Sequence, residues 1–279
     1  MWLVHFLPFR AVAAVGEAIG SALFWLIPER RKVTRINLEK CFPTMPHEER
    51  ERLARAHFRA FVRSFIDRGI LWWGTDQQLE KLVQIEGFEH LQALGGKRIV
   101  LFAPHFVGLD AGGIRIAKDW PRMATMASRQ KDPLFDRLLR EGRLRFGGNL
   151  YSRQDGIRKI LRAVAAGETL YYLPDMDFGP RGAVFVPFFG VPAATTVGLS
   201  YIARTTQANV VPCVTRMLPD GRYVARLYPA WTGYPSGDDA ADARRMLAFI
   251  EERVLEMPEQ YFWMHKRFKT RPQGEPKFY

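Results

Sequence analysis

From about residue 87 onward the chain alternates short strand-like runs with stretches of helical periodicity, and this alternation limits the fold more than any other feature. Residues 98–103 (RIVLFA), 169–173 (TLYYL), 210–214 and 223–227 read as strands. Between them, Asp132 is placed as an N-cap with Pro133 in the first helical turn, and Gly147-Gly148 closes that helix. Ile157, Ile160, Leu161 and Val164 repeat at helical spacing up to Gly167, and helices are also expected over residues 195–206 and 238–255. Strands alternating with helices predict an α/β fold built on a mixed, largely parallel sheet flanked by helices.

The first 80 or so residues read as helical. Pro46 followed by Glu48 and Glu49 marks a helix start, and Leu53, Ala56, Ala60, Phe61 and Phe65 carry an apolar stripe toward Trp72 and Trp73. His57 on that helix reads as structural. Residues 11–27 (AVAAVGEAIGSALFWLI) are apolar except for Glu17 and are followed by Arg30, Arg31, Lys32 and Arg35. A signal peptide would place its positive charge before the apolar run, and a spanning helix needs about 20 uninterrupted apolar residues. The order seen here suits a helix resting on or dipping into a membrane, its basic end at an anionic cytoplasmic surface. A true span and an ordinary buried helix are the alternatives. The organisation expected is a membrane-associating helix over residues 1–28, a helical region over 29–83 and an α/β domain over 84–279.

With 47% hydrophobic and 13% aromatic residues the chain can bury a proper core, which excludes disorder. Lys and Arg number 41 against 29 Asp and Glu, a net charge of +12. Such a surface calls for an acidic partner: nucleic acid, an anionic membrane, an acidic protein or a phosphorylated substrate. Cys41 and Cys213, the two cysteines, lack the spacing of a metal or disulfide framework and fit a reducing, cytoplasm-facing compartment.

Four segments could carry chemistry. The first, Pro104-His105-Phe106-Val107-Gly108-Leu109-Asp110, follows a strand, where α/β sheets place their sites. With His105 in the turn and Asp110 in the opening turns of the next helix, the carboxylate could hold one imidazole nitrogen and leave the other to take a proton from a hydroxyl. The second is arginine-rich: Arg143 and Arg145, preceded by Arg137 and Arg140, are candidates for binding phosphate or an oxyanion, against a plain solvated helix face. Gly142 within this helix costs about 1 kcal/mol relative to Ala, which hints at a close approach. The third, residues 173–190, places Asp175 and Asp177 after a strand and ends in an aromatic run able to line an apolar tunnel. No His or Cys joins these acids nearby, so no metal site is expected. The fourth, residues 260–272 (QYFWMHKRFKTRP), interleaves basic and aromatic residues as a lipid-headgroup or single-stranded nucleic-acid interface would. His265 there reads as structural or headgroup-contacting.

Taken together, HFVGLD, GRLRFGG, LPDMDFGPRGAVFVPFFGVPAATT and EQYFWMHKRFKTRP resemble, in order and spacing, the late (secondary) acyltransferases of lipid A biosynthesis, of the lauroyl/myristoyl type, within the glycerolipid (lysophospholipid) acyltransferase superfamily. The similarity runs from about Arg30 to Tyr279. It implies a glycerol-3-phosphate acyltransferase-like fold. The implied activity moves a fatty acyl group from acyl carrier protein to a hydroxyl of a lipid A precursor, an anionic glycolipid, at the cytoplasmic face of the inner membrane. It also implies His105 and Asp110 as the catalytic pair, Arg143 as the motif arginine, and Asp175 and Asp177 as the acids of the third motif. Asp110 stands where lipid A relatives commonly have Glu, one methylene longer, so the pairing would have to tighten.

The expected scheme is general-base catalysis by His105 and Asp110, with Arg143, Arg145, Asp175 and Asp177 binding substrate, no metal and no cofactor. The nearest alternative is an acyltransferase for a lysophospholipid or another glycolipid. A more distant one, a basic nucleic-acid-binding protein, rests on the net charge and the aromatic-basic tail, but gives no reason for the apolar N-terminus.

Overall fold

The computed structural model describes the backbone of residues 1–279 and every side chain except that of Arg153. A 3-10 turn, Trp2–Phe6, leads into α1 (Phe9–Leu26), α2 (Pro28–Cys41), α3 (His47–Trp73) and α4 (Asp76–Leu82). Then come β1 (Val83–Glu86), α5 (Phe88–Gln92), β2 (Ile99–Phe102), α6 (Leu109–Asp119), β3 (Met123–Ala127), α7 (Pro133–Arg143), β4 (Asn149–Ser152), α8 (Ile157–Ala165) and β5 (Thr169–Tyr172). The chain continues through β6 (Ala183–Phe188), β7 (Val191–Thr196), α9 (Gly198–Thr206), β8 (Asn209–Met217), β9 (Tyr223–Leu227) and α10 (Asp239–Glu256).

Seven strands form one sheet in the order β1-β9-β8-β2-β5-β3-β4, parallel throughout except for the β8/β9 pair. β2 shows why such a sheet forms. Val100 and Phe102 pack into the apolar layer shared with α8, α9 and α10, while Ile99 and Leu101 pack into the layer shared with α3, α4 and α6. A strand apolar on both faces is stable only with helices covering both.

The elements anticipated from sequence are present, with three differences. Thr195 and Thr196 belong to β7, where they pair with Val184 and Ala183 in a separate antiparallel hairpin, so the following helix starts at Gly198. Cross-strand pairing of β-branched residues outweighs helix periodicity there. β1, β3, β4 and β6 are not among the strands expected from sequence; β3 and β4 (MATMA, NLYS) have little intrinsic strand preference and owe their conformation to parallel pairing, β3 with β5 and β4 with β3. α7 ends at Arg143, ahead of the glycine pair. Gly148 instead turns the chain into β4 with φ +89, and a Cβ there would lie 2.2 Å from the Met123 carbonyl oxygen.

Gly142 meets the expectation of a close approach: a Cβ on it would sit 2.4 Å from the Trp72 ring. Gly142→Ala should therefore destabilise the protein by about 1–3 kcal/mol, a value thermal or denaturant unfolding would read, in spite of alanine's better helix propensity. Unchanged stability would mean that α3 and α7 part easily.

α1 lies along α3. Val12, Gly16, Gly20 and Phe24 are buried, and the two glycines bring the helices so close that added Cβ atoms would meet the Arg63 and Arg59 Cα atoms at 2.7 Å. The opposite face leaves Val15, Ile19, Trp25 and Leu26 exposed, continuing Trp2, Leu3, Phe6 and Leu7 of the first turn. By length and composition α1 could cross a membrane (mean hydropathy 1.4), although 22% of it is buried within the protein.

The topology fixes where a site can form. The chain leaves β2 through α6 on one face toward β3, and leaves β5 through α9 on the other face toward β8. Connections departing in opposite directions from two adjacent parallel strands open a crevice at their carboxyl ends.

Candidate active site

His105 and Asp175 meet in that crevice. β2 and β5 pair with Phe102 opposite Tyr172, and both strands continue through a residue and a proline, Ala103-Pro104 and Leu173-Pro174. In-register continuation places His105 opposite Asp175. The Asp175 carboxylate, fully buried, accepts from His105 Nδ1 at 2.7 Å and from the His105 backbone N–H at 3.0 Å. Burial alone would raise the Asp175 pKa, but the adjacent imidazole and the two hydrogen bonds reverse this and hold it below its ordinary value. An ionised carboxylate can only accept, so Nδ1 carries a proton, and in the neutral ring the lone pair is on Nε2. The ring, 21% exposed, lines a cleft of ≈ 950 Å³.

The expected contact between His105 and Asp110 does not form. Asp110 sits in the first turn of α6 and points toward α3 and α7: Arg68 Nε and Nη2 donate to Oδ2 at 2.9 and 2.6 Å, and Arg143 Nε donates to Oδ1 at 2.9 Å. Burial opposes ionisation here too, yet the Arg143 and Arg68 guanidiniums outweigh it and lower the Asp110 carboxyl to about 2. Two guanidiniums on one carboxylate leave a net positive charge on the cleft wall, since Arg68 and Arg143 both line it. The physical reason for the correction is direction. The Asp110 carboxylate is taken up by guanidiniums from α3 and α7, whereas the neighbouring strand end is held beside His105 by the sheet.

The other candidates separate. Arg145 does not reach the cleft; it donates to the Leu71 and Gly74 carbonyl oxygens at 2.8 and 2.6 Å and pairs with Asp76, tying down the end of α3. Asp177 is buried behind the site, accepting from Thr270 N–H (2.6 Å), Thr270 Oγ1 (2.8 Å) and Gly179 N–H (2.9 Å). His265 Nε2 accepts from the Asp177 backbone N–H at 3.2 Å. Burial, with the nearby His105 and Arg267, lowers the His265 pKa to about 4, so it stays neutral and can accept. His57 is buried, its Nδ1 3.0 Å from the Glu259 carbonyl oxygen, which fits a structural role.

Most of the aromatic-basic tail packs inward, although Lys269 is exposed. Tyr261, Trp263, Arg267 and Phe268 are buried, and Arg267 donates to the Ala194 carbonyl and Thr195 Oγ1 of β7. This segment supports the His105 turn from behind: Val107 N–H donates to the Gln260 carbonyl, Phe262 N–H donates to the His105 carbonyl, and the Phe262 ring stacks near the imidazole. Of the two features on which a nucleic-acid interface rested, the net charge and the tail, the tail is thereby accounted for as packing around the His105 turn. The aromatic run of the third segment also lies elsewhere than expected. Phe188 is core, and the apolar cleft walls include Phe61 and Phe65 of α3, Phe135 and Leu139 of α7, Phe262 and, from the start of the third segment, Leu173 and Phe178. Sequence reasoning missed Arg68, which sits on a helix remote in sequence, and the Asp175 contact. Its signal was present in the parallel endings FAPH and YLPD.

The geometry offers one imidazole held through Nδ1 by a buried carboxylate, with Arg68, Arg143 and apolar side chains lining the same cleft. Residues 1–270 match the family described as bacterial lipid A biosynthesis acyltransferase. The chain belongs to this family. It is 34% identical over 283 residues to the lipid A biosynthesis lauroyltransferase of Escherichia coli (strain K12), covering 100% of this chain and 92% of that one. It is 32% identical over 250 residues to the lipid A biosynthesis myristoyltransferase of the same organism, covering 88% of this chain and 77% of the other. Among solved structures it is similar to the 1-acyl-sn-glycerophosphate acyltransferase of Thermotoga maritima, with a TM-score of 0.40 and 16% identity over 87% of this chain and 97% of that one. The protein is an acyltransferase of lipid A biosynthesis.

Proposed function

We propose that this enzyme transfers a fatty acyl group from acyl carrier protein to a hydroxyl of a lipid A precursor at the cytoplasmic face of the inner membrane, with His105 as the general base. The observation that carries this reading is the His105 ring, fixed through Nδ1 by a buried carboxylate and presenting Nε2 to the cleft. Nε2 takes the proton of the acceptor hydroxyl as its oxygen attacks the thioester carbonyl, and Asp175 stabilises the resulting imidazolium. The Arg68 and Arg143 guanidiniums, aimed by Asp110, supply positive charge for the oxyanion that develops on the carbonyl. When the tetrahedral intermediate collapses, the carrier's thiolate leaves and takes the proton back from Nε2. No acyl-enzyme is invoked, because Cys41 and Cys213 are buried in the two apolar layers and burial raises both thiol pKa values.

A membrane address is supported by the exposed apolar face of α1 and the first turn, with Arg30, Arg31, Lys32 and Arg35 following it. The net charge of +12 suits an acidic carrier. Mass spectrometry of lipid A from cells with and without the protein tests the reading: one acyl chain should be missing from the mutant lipid. Affinity for acyl carrier protein should fall as salt rises from low to physiological ionic strength; a salt-insensitive affinity would remove the electrostatic part.

A further inference from the structure

The mouth of the cleft has features that the proton transfer does not use. Leu134, in the first turn of α7, is 66% exposed, and Ile157, which opens α8 and lines the cleft, is 37% exposed. A single exposed leucine needs no explanation. These two, however, stand among exposed cations: Arg129, Lys131 and Arg158 adjoin them in the chain, and Arg181 lines the same cleft. Lys131, Arg158 and Arg181 make no ion pair among the described residues. The acids of the same stretch are committed internally: Asp132 caps α7, Asp136 accepts from the Gln130 N–H, and Asp155 accepts from the Ser152 N–H and pairs with Lys159.

We propose that this rim is a second membrane contact. Leu134 and Ile157 enter the headgroup layer of an anionic bilayer, and Lys131, Arg158 and Arg181 pair with lipid phosphates. The cleft then opens onto the membrane, and an amphipathic acceptor reaches His105 without leaving the interface. Apolar side chains ringed by unpaired cations are the pattern of interfacial binding to anionic lipid. An acidic protein would answer the cations but not the exposed leucine and isoleucine beside them. The proposal rests on the reading of this cleft as the place where a membrane lipid is acylated.

The test is a Leu134→Asp/Arg158→Glu protein. Both positions fall in the first turn of a helix, where an acid is favourable, and neither side chain lines the cleft, so folding and chemistry should survive. Flotation with phosphatidylethanolamine vesicles, with and without phosphatidylglycerol, should show binding to the anionic vesicles weakened by about tenfold or more. Activity on an acceptor embedded in those vesicles should fall in parallel. Activity on the same acceptor in detergent micelles, and affinity for acyl carrier protein, should stay at the wild-type level. Unchanged vesicle binding would overturn the proposal, as would a selective loss of carrier affinity, which would assign the rim to the donor instead. If the wild-type protein acylates the acceptor in neither format, the acyl-transfer reading fails, while flotation, which needs no turnover, still decides the rim.

Discussion

An Asp175→Asn enzyme is expected to fold and bind its substrates yet turn over about 10²–10⁴-fold more slowly. The reason lies in the tautomer. Asp175 can only accept, so it keeps the proton on Nδ1 and the lone pair on Nε2. An asparagine can turn its NH₂ toward Nδ1, which drives the proton to Nε2 and removes the base while leaving the shape of the site unchanged. His105→Ala should lose a similar amount, and the double variant little more than either alone, because the two residues act as a unit. Single-turnover acyl transfer from the carrier thioester, measured alongside substrate binding, distinguishes this from a packing defect. An Asp175→Asn protein with near-wild-type turnover would remove the orienting carboxylate from the mechanism.

Asp110→Ala should behave differently, costing both stability and activity. It leaves Arg68 and Arg143 facing each other across an uncompensated pocket, and breaking a buried pair by removing one partner costs about 3–5 kcal/mol. The lower end is expected, since both arginine side chains keep 19% exposure and can turn toward water. Asp110→Glu, which preserves the charge, should recover most of the stability. The pH dependence has a definite sign. Because the folded-state pKa is lowered to about 2, against about 3.9 in an unfolded chain, the contribution of Asp110 is fully present above pH ~4 and is lost as pH falls toward 2. Acid unfolding of the wild type should therefore show a component in that window that Asp110→Ala lacks. If the two proteins have parallel acid-unfolding curves, Asp110 does not hold the arginines in the folded state.

These two variants also separate two roles that sequence reading had merged. The HFVGLD segment places an acid a few residues after a histidine, and pairing them is the natural reading of the string. In the folded chain each has a different partner. The histidine is served by a carboxylate 70 positions on, and the aspartate by arginines from two other helices.

Much of the architecture was legible because it rests on local patterns. The strand at 99–102, the N-cap at Asp132, the long helix after Asp238, the helix stop at Gly167 and the strand at 223–227 are each set by periodicity or by one residue's conformational preference. That His105 lies at a strand end was legible for the same reason. What only the tertiary structure decided was pairing. β3 and β4 lack strand preference and form because a neighbour offers them hydrogen bonds. The tail at 260–272 reads as a binding surface by composition but buries Tyr261, Trp263, Arg267 and Phe268 because it backs the sheet's central turn. The partner of His105 was fixed by the register of β2 against β5. Local preferences depend on residues a few positions apart, whereas register and burial depend on which distant segments the two apolar layers bring side by side.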